Sequence, residues 1–319
     1  MNASTLAEPS GPMRYRRLGR SNLRVSVVGV GCWQLGGEWG KRYEQSEVDA
    51  MFARARNVGI NLIDTAECYG NHEAERLVGR AVRGQRHRWH LCTKFGHRFH
   101  GHLDRTAAFD VASVRASLER SLRALGTDFI DVYYFHSGTD EQLATEGLWA
   151  YLQGEVQAGK IRHLGLSLSG KNPAVLRTQI LRAVDLGVSV VQVVYSRLRP
   201  EAREEALPAC AARDLGVVAR VVLAQGALSG KPVLRAYPPN DLRSRLSVSD
   251  AYALQARVAL IRRKEVPAGG DLAQWAIAYS LSHEAVSAAI VGCKDVAQVD
   301  ANAAAASSWV RPGHPMDVA

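Results

Sequence analysis

The sequence predicts an α/β protein in which eight strand–helix units close into one parallel barrel. Short runs rich in Val and Ile alternate with segments of helical spacing along nearly the whole chain. The strand candidates are apolar at consecutive positions, which is typical of strands buried on both faces of a parallel sheet. Eight such units favour a closed (β/α)8 barrel, the TIM barrel, over an open doubly wound sheet.

The strand candidates are the short apolar runs that precede each helical segment, and several of them end at a polar residue. In chain order they are 25–30, 61–64, 90–94, 129–135, 161–166, 188–194, 217–222 and 288–291. Because barrel enzymes carry their chemistry at the carboxyl ends of the strands, the residues at those ends are the first candidates for function.

Helical spacing and helix-end signals predict the segments between the strands. Ser46 is a candidate N-cap, and Gly59, Gly126 and Gly187 follow helical stretches as candidate stops. The predicted helices are 46–58, 73–82, 111–125, 147–158, 173–186, 203–215, 251–263, 271–281 and 295–306.

Length and composition fit this fold and exclude several protein classes. A chain of 319 residues could hold two domains, but α/β barrels reach this length as one domain. We therefore predict a disordered tail at residues 1–12 and one barrel domain over residues 13–319. With 47% hydrophobic and 22% charged residues, the chain is unlike a disordered, coiled-coil or collagen-like protein.

Cysteine and hydropathy patterns point to the cytoplasm. The five cysteines are widely spaced without a C-x-x-C pair, which argues against a disulfide scaffold and favours a reducing compartment. No apolar run reaches the roughly 18 residues of a membrane span, and the N-terminus lacks the pattern of a signal peptide. We expect a cytoplasmic protein without a membrane partner.

The net charge of +9 raises the possibility of a polyanionic partner. No recognised nucleic-acid-binding motif accompanies it. We therefore expect a solvated basic surface and no nucleic-acid partner.

Four side chains at the predicted strand ends form a proton-transfer set. Asp64 and Tyr69 follow the second strand, Lys94 ends the third and His136 follows the fourth. A phenol has an ordinary pKa near 10, and an adjacent ammonium lowers it. A carboxylate can hold that ammonium charged and oriented, while a neutral imidazole can position a substrate oxygen.

The same residues resemble the aldo-keto reductase family. The run Asp64-Thr65-Ala66-Glu67-Cys68-Tyr69-Gly70 is similar to that family's D-T-A-x-x-Y-G motif, and Lys94 and His136 fall where the rest of its catalytic tetrad lies. Residues 17–21 and 29–33 resemble its N-terminal β-hairpin and first barrel strand. The resemblance extends from about residue 13 to residue 306, within the branch that includes aldose dehydrogenases and potassium-channel β-subunits.

The resemblance implies an NADP-dependent oxidoreductase that reduces aldehydes or ketones, its small-molecule substrates, by hydride transfer. Tyr69 would be the general acid, with Lys94 lowering its pKa, Asp64 orienting Lys94, and His136 steering the carbonyl. Three other outcomes stay open. The same site could oxidise an aldose or another alcohol, the chain could be a cofactor-binding regulatory subunit with weak activity, and its oligomeric state is undetermined.

The chain lacks the Rossmann fingerprint for a dinucleotide, because Gln34 stands where the third Gly of that motif belongs. The resemblance nevertheless implies a nicotinamide cofactor. A helix N-terminus together with Lys294 suits an anionic 2′-phosphate, which favours NADP(H) over NAD(H). The positions similar to the family's cofactor-binding residues are Gly31, Cys32, Trp33, Ser167, Gln192, Arg220, Leu223, Gln225, Gly226, Lys231, Gly292, Lys294, Gln298 and Asn302.

Four residues depart from the family pattern. Cys32 replaces a common Thr and Val222 a common Pro, and we expect both changes to be minor. Leu168 stands where the family usually has Asn, so one carboxamide hydrogen bond is lost or supplied elsewhere. Arg220 stands where an aromatic ring commonly stacks on the nicotinamide, and its charge should disfavour the oxidised, cationic ring. His97, His100 and His102 crowd the stretch after the third strand, where we expect substrate contact or a solvated loop and no metal site.

Overall fold

Eight parallel strands form a closed barrel in the computed structural model, which describes residues 13–169 and 173–307. Two antiparallel hairpins, β1–β2 and β6–β7, lie outside the barrel, so the predicted barrel with an N-terminal hairpin is confirmed. In chain order the strands are β1 (Tyr15–Arg17), β2 (Arg24–Ser26), β3 (Val28–Gly31), β4 (Leu62–Asp64), β5 (His90–Phe95), β6 (His97–Gly101), β7 (Asp104–Ala107), β8 (Ile130–His136), β9 (Ile161–Ser167), β10 (Val188–Val194), β11 (Gly216–Arg220) and β12 (Val286–Gly292).

Helices follow the barrel strands and cover the outside of the sheet. The barrel order is β3-β4-β5-β8-β9-β10-β11-β12, and β12 pairs back to β3. The predicted tail at residues 1–12 lies outside the described residues. The helices are α1 (Gln45–Asn57), α2 (Glu73–Ala81), α3 (Val111–Leu125), α4 (Asp140–Leu143), α5 (Leu148–Gln157), α6 (Pro173–Ala183), α7 (Ala206–Ala211), α8 (Val248–Lys264), α9 (Leu272–Ser282) and α10 (Val296–Ala304).

The barrel interior holds its own apolar cluster, separate from the larger one between sheet and helices. Alternate strand residues face inward because successive side chains point to opposite faces of a strand. Leu18 and Val25 of the N-terminal hairpin region join this cluster, so the hairpin closes the amino-terminal end of the barrel. The inner cluster comprises Leu18, Val25, Leu62, Cys92, Val132, Tyr134, Val190, Val218, Ala288 and Ile290.

Most predicted strand bounds differ from the structure by one or two residues, and two of the differences have a local cause. The run 25–30 is divided, because Arg24–Ser26 pairs with β1 in the hairpin while Val28–Gly31 pairs with β4 and β12 in the barrel. The run 217–222 ends at Arg220, because Val221 has a left-handed backbone with φ of 60°. A β-branched residue with positive φ cannot continue a strand.

Two further differences from the sequence prediction concern the stretch at 97–107 and the helix predicted at 203–215. The stretch at 97–107 forms the β6–β7 hairpin, whose side chains are exposed or half-buried and carry little apolar patterning. The helix predicted at 203–215 is shorter, spanning Ala206–Ala211. Pro208 has no N–H to donate to the carbonyl of Glu204, so the i→i−4 hydrogen bonds of the helix cannot continue toward its amino-terminal side.

All five cysteines are buried and free. Among the helices in residues 13–169 and 173–307, none is long and apolar enough to cross a membrane.

Candidate active site

A polar layer lies directly above the apolar cluster inside the barrel. On five strands, an inward apolar residue is followed two positions later by a polar side chain at the carboxyl end of the strand. Because side chains alternate between the two faces of a strand, these polar groups also point into the barrel. They lie at the opening formed by the carboxyl ends of the strands, which we call the mouth and where barrel enzymes carry their chemistry. They are Asp64, Lys94, His136, Gln192 and Arg220.

Lys94 connects three oxygen atoms at the centre of this layer. Its buried Nζ donates to Asp64 Oδ1 at 2.5 Å, to the Thr65 carbonyl at 2.7 Å and to Tyr69 Oη at 3.1 Å. Burial disfavours the ammonium, but Asp64 and Tyr69 outweigh it and raise the pKa of Lys94. The lysine is therefore a fixed cation whose donors are fully used.

Tyr69 is held by a tight turn between β4 and α2. Its N–H donates to the Ala66 carbonyl, and Ala74 N–H donates to the Tyr69 carbonyl. Gly70 follows with φ of 61°, and a Cβ there would lie 2.6 Å from the carbonyl oxygen of Gly36. Only glycine fits this position, because both the backbone conformation and the close approach exclude a side chain.

The pKa of Tyr69 is raised to about 12, opposite to the net lowering that the sequence suggests. Burial of the phenol is the larger effect, while the nearby Lys94 charge acts in the expected direction and lowers the pKa. The hydroxyl therefore carries its proton at neutral pH and can donate it.

His136 faces Tyr69 across the mouth. The two rings are 6.2 Å apart between centroids, and His136 Nδ1 lies 3.8 Å from Cys68 Sγ. Burial lowers the pKa of His136 well below its usual value, and His97, Lys94, Arg105 and Arg220 add to that effect. The imidazole is neutral at physiological pH and can hydrogen-bond a substrate oxygen.

The structure brings Asp64, Tyr69, Lys94 and His136 together at one mouth, as the strand-end argument predicts. We call these four side chains the tetrad. Of the other histidines, His97 lies beside His136 with ring centroids 4.8 Å apart, while His100 and His102 lie on the exposed hairpin. Within the described part of the chain, no group of His, Cys, Asp and Glu could hold a metal ion.

Ser167 and Gln192 extend the polar layer around the barrel. Ser167 Oγ donates to Gln192 Oε1 at 3.3 Å, and Gln192 Nε2 donates to Asp64 Oδ2 at 2.7 Å. Arg220 Nη2 donates to the Leu168 carbonyl at 2.7 Å, while its buried Nε has no hydrogen-bond partner among the described residues. Arg220 thus has an unused buried donor beside the tetrad.

The loop after β11 has an unusual run of left-handed residues. Val221, Ala224, Gln225 and Gly226 have φ values of 60°, 46°, 56° and 93°. Strained backbone of this kind is concentrated at ligand-binding sites. Of the other predicted cofactor residues here, Leu223 is half-buried and Lys231 is exposed.

The turn after β12 is held by side chains that the sequence assigns to the cofactor. Asn302 Nδ2 donates to the Gly292 carbonyl at 3.3 Å, and Lys294 N–H donates to Gln298 Oε1 at 3.1 Å. Their amide groups are thus used, at least in part, to shape this turn. Across the barrel seam Gly31 pairs with Gly292, while Cys32 is buried and Trp33 packs edge-on against Trp39 at 6.0 Å.

A cation cluster next to this turn was not evident from the sequence. Arg243 and Lys294 lie over the Trp39 ring at 4.8 and 5.1 Å, and Arg235 and Arg243 lie over Tyr237 at 4.9 and 4.4 Å. Asp241 pairs with Arg243, so part of the charge is neutralised. We call Arg235, Arg243 and Lys294 the cation cluster; its donors suit an anionic group such as a phosphate.

Two more charged residues near the tetrad were also missed. Glu38 is buried, its Oε1 accepts from the Gly70 N–H at 3.2 Å, and its Oε2 has no partner within the described residues. Arg105 on β7 donates to Cys68 Sγ at 3.1 Å. Neither lies at the end of a barrel strand, so the strand-end argument could not find them.

Comparison with known proteins agrees with this geometry. The sequence matches the Aldo/keto reductase family over residues 27–310. It is 31% identical over 301 residues to the uncharacterized oxidoreductase YqkF of Bacillus subtilis (strain 168), covering 93% of this chain and 92% of that protein.

Solved structures show the same relationship. The holo form of aldo-keto reductase AKR11C1 from Bacillus halodurans has a TM-score of 0.77 at 29% identity, covering 93% of this chain and 91% of that chain. Glycerol dehydrogenase AKR11B4 from Gluconobacter oxydans has the same TM-score at 24% identity, covering 93% and 90%, and shows the fold alone.

The family match covers most of the chain, and the barrel mouth carries the residues that the motif predicts. The family uses nicotinamide cofactors on small-molecule substrates. This chain belongs to the aldo/keto reductase family and is an NAD(P)H-dependent oxidoreductase.

Proposed function

We propose that this chain reduces the carbonyl group of aldehydes or ketones with NADPH, and that Tyr69 is the general acid. The observation that supports this most directly is the buried Lys94 ammonium in contact with both Asp64 and Tyr69 Oη. A protonated phenol beside a fixed cation suits transfer of a proton to an oxygen on which negative charge develops.

The roles of the four side chains follow from that arrangement. A bound reduced nicotinamide supplies the hydride to the carbonyl carbon. Tyr69 donates its proton to the carbonyl oxygen, and Lys94, 3.1 Å away, stabilises the phenolate that remains until a proton from solvent replaces it. Asp64 holds the ammonium in place, and neutral His136 orients the carbonyl by a hydrogen bond.

The same groups can act in the oxidative direction, with Tyr69 as the base. Arg220 supports the reductive direction, because it lies beside the tetrad and forms no ion pair within the described residues. Its positive charge disfavours the oxidised, cationic nicotinamide relative to the neutral reduced ring. Steady-state rates in both directions over a panel of aldehydes and sugars separate reductase from dehydrogenase.

Tyr69→Phe tests the role of the general acid. We expect kcat for an aromatic aldehyde with NADPH to fall by about a hundredfold to ten-thousandfold, because the proton donor is lost. The dissociation constant of NADPH, measured by fluorescence quenching, should change little. Equal turnover by wild type and variant would contradict the mechanism, and cofactor binding without any turnover by wild type would favour a regulatory subunit.

The cation cluster supports the choice of NADP(H). Lys294 is half-buried, and burial together with Arg243 lowers its pKa. Its ammonium forms no ion pair within the described residues. Asp241 neutralises only part of the charge of this cluster, so a lysine beside two guanidinium groups favours an additional phosphate on the adenosine ribose.

Lys294→Met tests this preference. We expect wild type to bind NADPH more tightly than NADH, and the variant to lose about tenfold or more of that ratio, since a hydrogen bond to a charged group is removed. Lys264→Met is the matched control, because Lys264 is an exposed lysine at the end of α8. A ratio that is unchanged in Lys294→Met, or reduced equally in the control, would contradict the assignment.

A further inference from the structure

Arg105 occupies the catalytic end of the barrel although it belongs to no barrel strand. It lies on β7, which pairs with β6, and this hairpin directly follows β5, the strand that carries Lys94. Its Nη1 donates to Cys68 Sγ at 3.1 Å, and that sulfur lies 3.8 Å from His136 Nδ1. Arg105 therefore contacts Cys68, the residue before Tyr69, and Cys68 in turn lies beside His136.

The positive charge of Arg105 is only partly balanced by the nearby carboxyl group of Glu38. Arg105 forms no ion pair within the described residues, and its contact with Cys68 uses one of five N–H donors. Burial raises the pKa of Cys68 to about 12, so the sulfur is a neutral thiol and not an anionic partner. Other arginines differ, since Arg86 and Arg162 both pair with Asp131, and Arg197 pairs with Glu265.

The groups around Arg105 leave the mouth positively charged. Arg220 is a second cation that forms no ion pair within the described residues, and the Lys94–Asp64 pair contributes no net charge. Burial lowers the pKa of His97 to about 4 and lowers the pKa of His136 as well, so both rings are neutral. Glu38 is the opposing group, but burial raises its pKa to about 7, which leaves it only partly ionised at neutral pH.

We propose that Arg105 binds a carboxylate carried by the substrate, so that the enzyme prefers anionic carbonyl compounds over neutral ones. This inference rests on the proposed carbonyl reduction, because it places the carbonyl oxygen between Tyr69 and His136. With the carbonyl there, the far end of a short substrate would lie close to the guanidinium, because Cys68 Sγ is 3.1 Å from Arg105 Nη1 and 3.8 Å from His136 Nδ1. A planar guanidinium fork matches a carboxylate in two parallel hydrogen bonds.

The test compares 4-carboxybenzaldehyde with its neutral methyl ester as substrates. We expect wild type to reduce the carboxylate with the higher kcat/KM. In Arg105→Met the kcat/KM for the carboxylate should fall by about ten- to a hundredfold, mainly through KM, while the ester is little affected. Arg105→Lys should retain part of the preference because it keeps the charge without the fork.

Arg98→Met is the matched control for loss of charge on the same hairpin. Arg98 lies on β6, and its side chain reaches Ser113 Oγ at 3.5 Å, on the α3 side of the hairpin. Its removal should leave the substrate ratio unchanged. A wild type that prefers the ester, or an Arg105→Met variant with an unchanged ratio, would overturn the inference.

A binding measurement separates failure of this inference from failure of the proposed reaction. Benzoate and benzamide are titrated into the NADPH complex by calorimetry, since neither can be reduced at this site. If neither aldehyde turns over, the proposed function is wrong, and benzoate binding that is lost in Arg105→Met still supports an anion site. Benzoate that binds wild type and Arg105→Met equally, or binds neither, overturns it.

Discussion

Glu38 is a single carboxyl group whose burial connects protein stability to pH. Burial raises its pKa from the ordinary 4.5 to about 7, and the Gly70 N–H and Arg105 only partly offset the effect. The folded state therefore holds this proton more tightly than the unfolded chain. The stabilisation is fully present below about pH 4.5 and is lost as the pH rises through about 7.

Glu38→Gln removes this dependence and keeps an oxygen for the Gly70 N–H. As the pH rises from about 5 to about 8, the difference in unfolding free energy between variant and wild type should shift by about 1–3 kcal/mol in favour of the variant, because glutamine carries no charge to desolvate. Denaturant unfolding at both pH values measures it. Glu146→Gln, at an exposed position, is the control. A difference between Glu38→Gln and wild type that does not change with pH would refute this origin of the dependence.

At the scale of the element, the turn between β4 and α2 positions the proton donor. Gly70 has φ of 61°, and an added Cβ would meet the Gly36 backbone at 2.6 Å. Gly126, at the end of α3, has nearly the same φ of 62°, but among the described residues no neighbouring atom lies within 4 Å of an added Cβ. The left-handed backbone would therefore strain an alanine at both positions, but only at Gly70 would the alanine also clash with neighbouring atoms.

Gly126→Ala should lower the unfolding free energy by about 1 kcal/mol and leave kcat unchanged. Gly70→Ala should lower it by about 3 kcal/mol and also reduce kcat, because the backbone shift moves Tyr69 away from Lys94. Thermal unfolding and aldehyde turnover measure the two effects. Equal losses of stability in the two variants, with full activity in both, would show that the turn tolerates the clash.

The β6–β7 hairpin shows which elements the sequence could predict. Barrel strands are recognisable because consecutive apolar residues are buried on both faces. The hairpin is exposed, so its residues carry no such pattern, and 97–107 looks like a loop. Arg105 was missed for the same reason, since its position beside Cys68 depends on how the hairpin folds back over the barrel.

Over the whole molecule, the barrel and the location of the tetrad could be predicted because both follow from strand periodicity. Contacts between segments that are distant in the sequence could not be predicted in this way. Arg243 meets Lys294 at the Trp39 ring only because the long segment before α8 returns to the barrel mouth. Part of the net charge of +9 is used in this way, in the cation cluster and at Arg105 and Arg220, rather than spread evenly over the surface.

The pairing of β3 with β12 joins two segments that lie far apart in the sequence. Residues 28–31 bond to residues 289–292, and Arg16 in the hairpin donates to the carbonyls of Leu281 and Val286. During synthesis, β3 and β11 therefore each keep an unpaired edge until β12 has left the ribosome. Contacts so distant in sequence slow folding and leave exposed strand edges open to aggregation. Closure of the barrel is thus a late step of folding, because β12 is the last of the eight barrel strands to be synthesised.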